Sequence, residues 1–355
     1  MATADKPPEG QVIDKGLPGP GLVAHVITSK YCDHQPLYRL EGMLARHGVS
    51  IARSTMCGWM KAAADLLTPL VQLMAARIRG SKVIHTDDTP MPVQDKGRGK
   101  TKTGRLWVYL GDPTSGGSYD VFDYTESRSR DGPRNWLKEF KGYLQADAFG
   151  GYDGIYATGD VTEVACWAHA RRKFYDARTS DPAREHHVLA MIRLLYDVER
   201  DAKERQAEDK TFASGGAQAK RAMRQERSCP LLEQLHAWLL RERDGVLPKS
   251  PMGQAIGYAL NNWDALVRYA GDGDLAIDNN AAERAIRPLT IGRKNYLFFG
   301  SDGGGRTAAI LYSVVAGAKR HGLDPFVYLR DVLAVIGSTP MSQLDQFLPD
   351  RWKAQ

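Results

Sequence analysis

Lys82–Thr86 reads KVIHT and runs directly into Asp87-Asp88. A short run with β-branched residues predicts a strand, here one with two carboxylates just past its end. Two more such runs follow, Arg105–Gly111 (RLWVYLG) and Tyr119–Tyr124 (YDVFDY). Between the first two, Lys96–Thr103 (KGRGKTKT) has the composition of an exposed basic hairpin loop. Asn135–Lys141 is expected to form a short helix, and Gly142–Ala146 (GYLQA) a strand that ends on Asp147. A Gly-rich helical piece and a fifth strand, Val161–Cys166 (VTEVAC), complete the series.

Three hairpin-like strands, a helix, a strand, a helix and a strand is the order of a ribonuclease-H-like α/β core. The expected fold class is therefore α/β, with this core split by an all-helical insertion. Residues 167–272 supply the insertion: charge-rich faces (Glu199–Lys210, Lys220–Arg227) alternate with apolar positions such as Leu231, Leu235 and Trp238. The second part of the core is expected over 273–338, ending in a helix over Pro325–Ile336. Within it Asn295–Phe299 is read as extended, and Thr307–Arg320 as a helix behind a Gly-rich turn, with 339–355 as a C-terminal tail. Ahead of the first strand, 21–78 is helical: Leu37, Leu40, Met43 and Leu44 recur at helical spacing. The pattern breaks at His47-Gly48 and restarts at Ser54. Helix, short turn, helix is the outline of a DNA-binding helix-turn-helix, and equally of two packed helices. Residues 1–20 are read as a linker and 79–166 as the first part of the core.

Composition narrows the function classes. The 355 residues suggest two or three structural units. Lys plus Arg is 48 against 42 Asp plus Glu, a net charge of +6 that suits a polyanionic partner. The four cysteines, Cys32, Cys57, Cys166 and Cys229, form no CxxC pair, which argues against a four-cysteine zinc knuckle and a disulfide framework. The apolar run Ala308–Ala318 is too short to span a bilayer, so no membrane role and a cytoplasmic location are expected.

Carboxylates at strand ends are where open α/β sheets place ligands. Asp87 and Asp147 hold such positions, and Asp88 is a possible addition. Glu283, one turn past the capping-type run Asp278-Asn279-Asn280, is the candidate third carboxylate from the returning α/β segment. Hard divalent cations require such oxygen ligands, and two of them can activate an attacking hydroxyl and stabilise the leaving oxygen of a phosphodiester. Arg284, Arg287, Arg293 and Lys294 crowd Glu283, as phosphate handling would require. The Gly300–Thr307 run, which includes Arg306, lacks the Gly-Lys-Ser/Thr of a nucleotide P-loop but could hold a backbone phosphate. Trp107, Trp136, Trp167 and Trp263 are expected to be core residues rather than base-stacking platforms.

Several long phrases carry a resemblance: KYCDHQPLYRLEGMLARHGV (30–49), HTDDTP (85–90), LQADAFGGYD (144–153), CWAHARRKF (166–174), IDNNAAERAIRPLTIGRKNYLFFGSDGGG (277–305) and LDQFLPDRW (344–352). Together they resemble the IS66 family of bacterial insertion-sequence transposases. The resemblance implies a DDE transposase that cleaves inverted-repeat ends and transfers the 3′-hydroxyl into target DNA. Asp87, Asp147 and Glu283 would be catalytic and hold two Mg²⁺ ions, with Mn²⁺ able to substitute. Where the family has a Glu beside the first Asp, this chain has Asp88. Cys166 and His169 match a Cys/Asp-x-x-His element of transposases with such insertions, which suggests DNA-strand handling or a structural role. The implied partners are transposon-end and target DNA, further copies of the chain on paired ends, and element-encoded accessory proteins, at the bacterial nucleoid. The resemblance also places a zinc-bearing N-terminal region of full-length members ahead of the point where this sequence starts. The competing readings are a truncated, non-catalytic DNA-binding regulator and a ribonuclease-H-like nuclease without strand transfer.

Overall fold

The computed structural model describes residues 12, 16, 18–95, 97, 99–112 and 117–353. Most of the 1–20 linker, and Lys96 and Arg98 of the basic loop, lie outside the described residues. In chain order the elements are α1 (Pro20–Tyr31), α2 (Leu37–Arg46), α3 (Arg53–Arg79), β1 (Val83–Asp95), β2 (Lys100–Gly111), β3 (Asp120–Thr125), α4 (Asp131–Trp136), β4 (Gly142–Gln145), α5 (Asp153–Tyr156), β5 (Val161–Val164), α6 (Trp167–Asp176), α7 (Pro182–Glu208), α8 (Lys210–Arg243), α9 (Pro251–Asn261), α10 (Trp263–Val267), α11 (Asn280–Tyr296), α12 (Asp302–Arg320) and α13 (Pro325–Val335). The class is mixed α/β. No helix among the described residues is long and apolar enough to cross a membrane.

The chain divides into two compact units. The first takes the chain up to Lys141 and again from Ala282 onward; the second is Gly142–Ala281. In the first unit β1, β2 and β3 are antiparallel, with Ile84 opposite Gly111, Asp88 opposite Trp107, and Trp107 opposite Asp123. α12 and α3 cover the sheet: Phe122 donates its backbone N–H to Ser313 Oγ at 2.8 Å, and Met60, Leu67, Leu70, Leu311 and Val314 are buried with it. The turn from α2 to α3 uses Gly48 at φ 78°, and the N–H of Val49 returns to the carbonyl of Leu44. That is a glycine-ended helix, because only glycine adopts the left-handed conformation without a Cβ penalty.

β1 is longer than the expected 82–86 strand. It continues through both aspartates to Asp95, so Asp87 and Asp88 lie within the strand, not past its end. Pro90 and Pro92 argue against a central strand, but pairing of Pro90 with Arg105 and Pro92 with Thr103 carries the ladder through them. For the same reason Lys100–Thr103 belongs to β2 and not to a loop. The stretch read as a C-terminal tail is packed: Leu344, Phe347 and Leu348 are buried, and Tyr328 donates to the carbonyl of Phe347.

The second unit is wider than the 167–272 helical block, because β4 and β5 belong to it. The two strands pair in parallel, Gly142 with Val161 and Gln145 with Val164. The chain leaving β5 is tied to the far end of the block: Ala165 N–H donates to Ala265 O at 3.0 Å, and Trp167 N–H to Ile277 O at 3.2 Å. Asp181 caps α7, Asp209 caps the start of α8, and α8 breaks at Gly216 (φ 50°).

Candidate active site

In an extended strand successive side chains face opposite ways, so Asp87 and Asp88 serve different faces of β1. Asp88 shares its face with Trp107 and Asp123, and its side chain is only 2% exposed. One of its oxygens takes Arg105 Nη1 at 2.8 Å and the other takes Arg128 Nη2 at 2.8 Å. Each oxygen is thus claimed by a guanidinium, which places Asp88 in an ion-pair cluster. Asp123, across from Trp107, is pushed up to about 6 by burial. Asp87 is half-buried on the other face and accepts the backbone N–H of Asp88 at 2.8 Å.

Glu283 stands exposed in the first turn of α11, and Arg284, Arg287 and Lys294 are exposed on the same helix. Arg293 differs. Its guanidinium is turned onto β1, donating to Thr89 Oγ1 at 3.3 Å and to the Pro90 carbonyl, so it fastens the helix to the strand. Phe299 continues the attachment with a parallel bridge to Val93. Of the Asn295–Phe299 run read as extended, Asn295 and Tyr296 are instead the end of α11. The Gly-rich run is not a turn ahead of a helix either. Ser301 caps α12, which begins at Asp302 and includes all three glycines that follow. A Cβ on Gly305 would lie 2.6 Å from the Tyr124 ring, which explains the glycine there. Arg306 pairs with Glu126 at 2.9 Å, and Lys102 bridges Glu126 and Asp302.

In the second unit Asp147 is half-buried, two residues past the last residue of β4. Gln145, fully buried, fixes that strand end. Its Nε2 donates to the carbonyls of Ala276 (2.6 Å) and Asp278 (3.2 Å), and its Oε1 accepts the N–H of Ala276 at 3.3 Å. Cys166 Sγ accepts the N–H of Asn279 at 3.2 Å. The Asp278 carboxylate accepts Tyr196 Oη at 3.0 Å, Asn280 Nδ2 at 2.7 Å and the Asn280 N–H at 3.1 Å. Residues from three separate phrases, 144–153, 166–174 and 277–280, therefore meet in one hydrogen-bonded hub, joined by Tyr196 of α7. Sequence reading missed Gln145 and Tyr196, and saw Asp278 only as part of a capping-type run. The one signal available was a glutamine inside an apolar strand, a residue that needs partners when buried.

Residues 15–307 match the Transposase IS66 family, and residues 313–349 match the IS66 C-terminal element. The chain belongs to the IS66 transposase family. It is 34% identical over 361 residues to the uncharacterized protein y4jD of Sinorhizobium fredii (strain NBRC 101917 / NGR234), covering 98% of this chain and 69% of that protein. The uncharacterized protein y4qI of the same strain is 35% identical over 356 residues, covering 96% of this chain and 64% of that protein. This IS66-family chain thus spans about two thirds of the length of these relatives.

The IS66 match includes the segments that hold Asp87, Asp147 and Glu283. Within neither unit, among the described residues, do three or more His, Cys, Asp and Glu side chains stand together as a metal cage. Cys166 is fully buried and its thiol is pushed up to about 11, chiefly by burial. The buried thiol accepts the Asn279 N–H and so takes part in packing the hub. His169 lies three residues on, in the first turn of α6, half-buried. The four tryptophans are packed. Trp107 Nε1 donates to Thr125 Oγ1 and Trp167 Nε1 to Leu266 O, both at 2.8 Å. Trp136 stacks on Tyr109 with centroids 3.7 Å apart, and Trp263 meets His236 and Trp167.

Proposed function

We propose that this chain carries the catalytic part of a DNA transposase with a ribonuclease-H-like core, in which Asp87, Asp147 and Glu283 act together. The observation that carries the reading is the single family match spanning all three carboxylate-bearing segments. The donor set fits the proposed ion: three carboxylates supply only hard oxygen ligands, as Mg²⁺ or Mn²⁺ requires. When bound, two such ions would lower the pKa of an attacking water and offset charge on the leaving oxygen.

The protein's own groups have distinct parts in this reading. The Gln145–Ala276–Asp278 hub holds the strand end that precedes Asp147 and the segment that starts α11. Arg284, Arg287 and Lys294 position DNA phosphates, while Arg293 and Arg306 hold structure. α2 and the first turns of α3 add duplex contact: α2 buries only Leu40, leaving Arg39, Arg46 and His47 exposed. Water would attack the phosphorus at an element end and displace the 3′-oxygen as a 3′-hydroxyl. That hydroxyl would then attack a target phosphorus, form the new ester and displace the target's own 3′-oxygen. Transposon ends, target DNA, further copies of the chain and element-encoded accessory proteins are the proposed partners.

The test is cleavage and joining of labelled DNA bearing the element's ends, with Mg²⁺ or Mn²⁺, by the chain and its Asp147→Asn variant. Metal-dependent cleavage and joining, both lost in the variant while end binding persists, is the expected result. Cleavage without joining would point to a nuclease, and end binding without chemistry in either protein to a regulator.

A further inference from the structure

The first unit holds a cavity of about 740 Å³ lined by Lys30 at the end of α1, Tyr38 of α2, Arg53 and Lys61 of α3, and the Tyr296–Gly300 segment after α11. That volume lies within the range of small-molecule sites, roughly 300–1,000 Å³. Its wall mixes aromatic, aliphatic and basic side chains, and none of the described residues that line it is a carboxylate. Arg53 and Lys61 are paired, with Glu41 at 3.1 Å and Asp65 at 2.6 Å. Lys30 is not: among the described residues it has no carboxylate partner, and its Nζ stands 4.2 Å from the centroid of Tyr296 and 5.7 Å from that of Tyr31. Beside the rings it has the Cys57 thiol, so this half-buried cation has, among the described residues, no carboxylate counter-ion.

The cavity's edge is shaped for contact. Tyr38 is 54% exposed, Leu297 63% and Phe298 43%. Leu297 has φ 65°, a left-handed conformation that costs a leucine strain. That residue ends α11 where glycine is usual, and the strained turn leads directly into the exposed Phe298. Exposed rings around an unpaired cation are the elements of a site for an unpaired nucleotide: a ring stacks on the base and the cation takes the phosphate.

We propose that this cavity receives one unpaired nucleotide of DNA, its base against Phe298 and Tyr38 and its phosphate on Lys30. The inference rests on the DNA-processing reading above but concerns a different set of residues from the carboxylates. Burial lowers Lys30 to about 8, so the ammonium is still largely charged at neutral pH and available to a phosphate.

The experiment uses the full chain in EDTA, so that no metal-dependent cleavage intervenes. The probes are a duplex with a single bulged 2-aminopurine and the same duplex without the bulge. The expected result is roughly tenfold or greater preference for the bulged duplex, with the 2-aminopurine fluorescence quenched on binding. Phe298→Ala and Lys30→Met should each remove the preference and leave affinity for the perfect duplex unchanged. Phe298 is partly exposed, and methionine keeps the length of lysine, so both variants should fold. Equal affinity for the two duplexes, or a preference that survives both substitutions, would overturn this inference alone. Failure to bind either duplex would overturn it together with the DNA-processing reading.

Discussion

Two cations illustrate how differently the two units are finished. In the second unit Arg224 of α8 is fully buried, and its guanidinium is fully used. It meets Glu199 of α7 twice at 2.7 Å and donates to the carbonyls of Tyr269 (2.7 Å), Asp272 (2.8 Å) and Leu275 (2.9 Å). In the first unit Lys30 is half-buried and rests on two tyrosine rings. Arg224 fastens two long helices to the chain that runs on to Asp278, with every interaction supplied internally. Lys30 lines an open cavity and, among the described residues, has no carboxylate against it. A buried charge that carries its own partners holds a fold; one without them is suited to receiving an anion.

The largest expected effect tests the first half of that contrast. Arg224→Ala leaves Glu199 and three carbonyls without their donor, and should cost roughly 3–5 kcal/mol, read as a lower denaturant midpoint. Arg224→Lys should recover little of this, because a lysine cannot reproduce the two-pronged contact. A loss below about 1 kcal/mol would show that the Arg224 network does not organise the second unit.

Lys30→Met should act in the opposite direction. Burial lowers Lys30 from 10.5 to about 8, so the folded state binds fewer protons than the unfolded state between those values. Wild-type stability should therefore rise as pH increases from 8 to 10.5, by at most about 3 kcal/mol at 1.36 kcal/mol per unit. The variant should be more stable than wild type at pH 7, and the difference should shrink as pH approaches 10.5. Thermal melts across that range check the sign; a variant less stable at pH 7 would mean that Lys30 is compensated after all. The smallest effect is Leu297→Gly, which removes left-handed strain and should stabilise the first unit by about 1 kcal/mol, measured by denaturant titration. No gain would mean that contacts of the leucine offset its conformation.

What the sequence made legible followed local rules. The α2–α3 break was marked by Gly48, and the strands by β-branched and aromatic runs. Errors arose where a local signal met a longer-range one. Pro90 and Pro92 hid the second half of β1, which the register with β2 sustains. The three glycines before Arg306 suggested a turn, yet Ser301 caps a helix that runs through them, and Gly305 is glycine because Tyr124 leaves no room for a Cβ there. Of the candidate site, the carboxylates could be named from their phrases. The arginines on Asp88, the attachment of Arg293 to β1 and the burial of Cys166 could not, since each depends on partners from other elements. The Gln145–Asp278 contact joins residues far apart in the chain, and no period or motif encodes such a pairing.

The central claim is that Asp87, Asp147 and Glu283 serve one metal site. The most direct measurement replaces Mg²⁺ with Fe²⁺ and maps peptide-bond cleavage by hydroxyl radicals generated at the bound iron. The account predicts cuts near all three carboxylates, suppressed together by excess Mg²⁺ and by Asp147→Asn. Cuts confined to one segment, or cuts near residues 87 and 283 that persist in the variant, would contradict it.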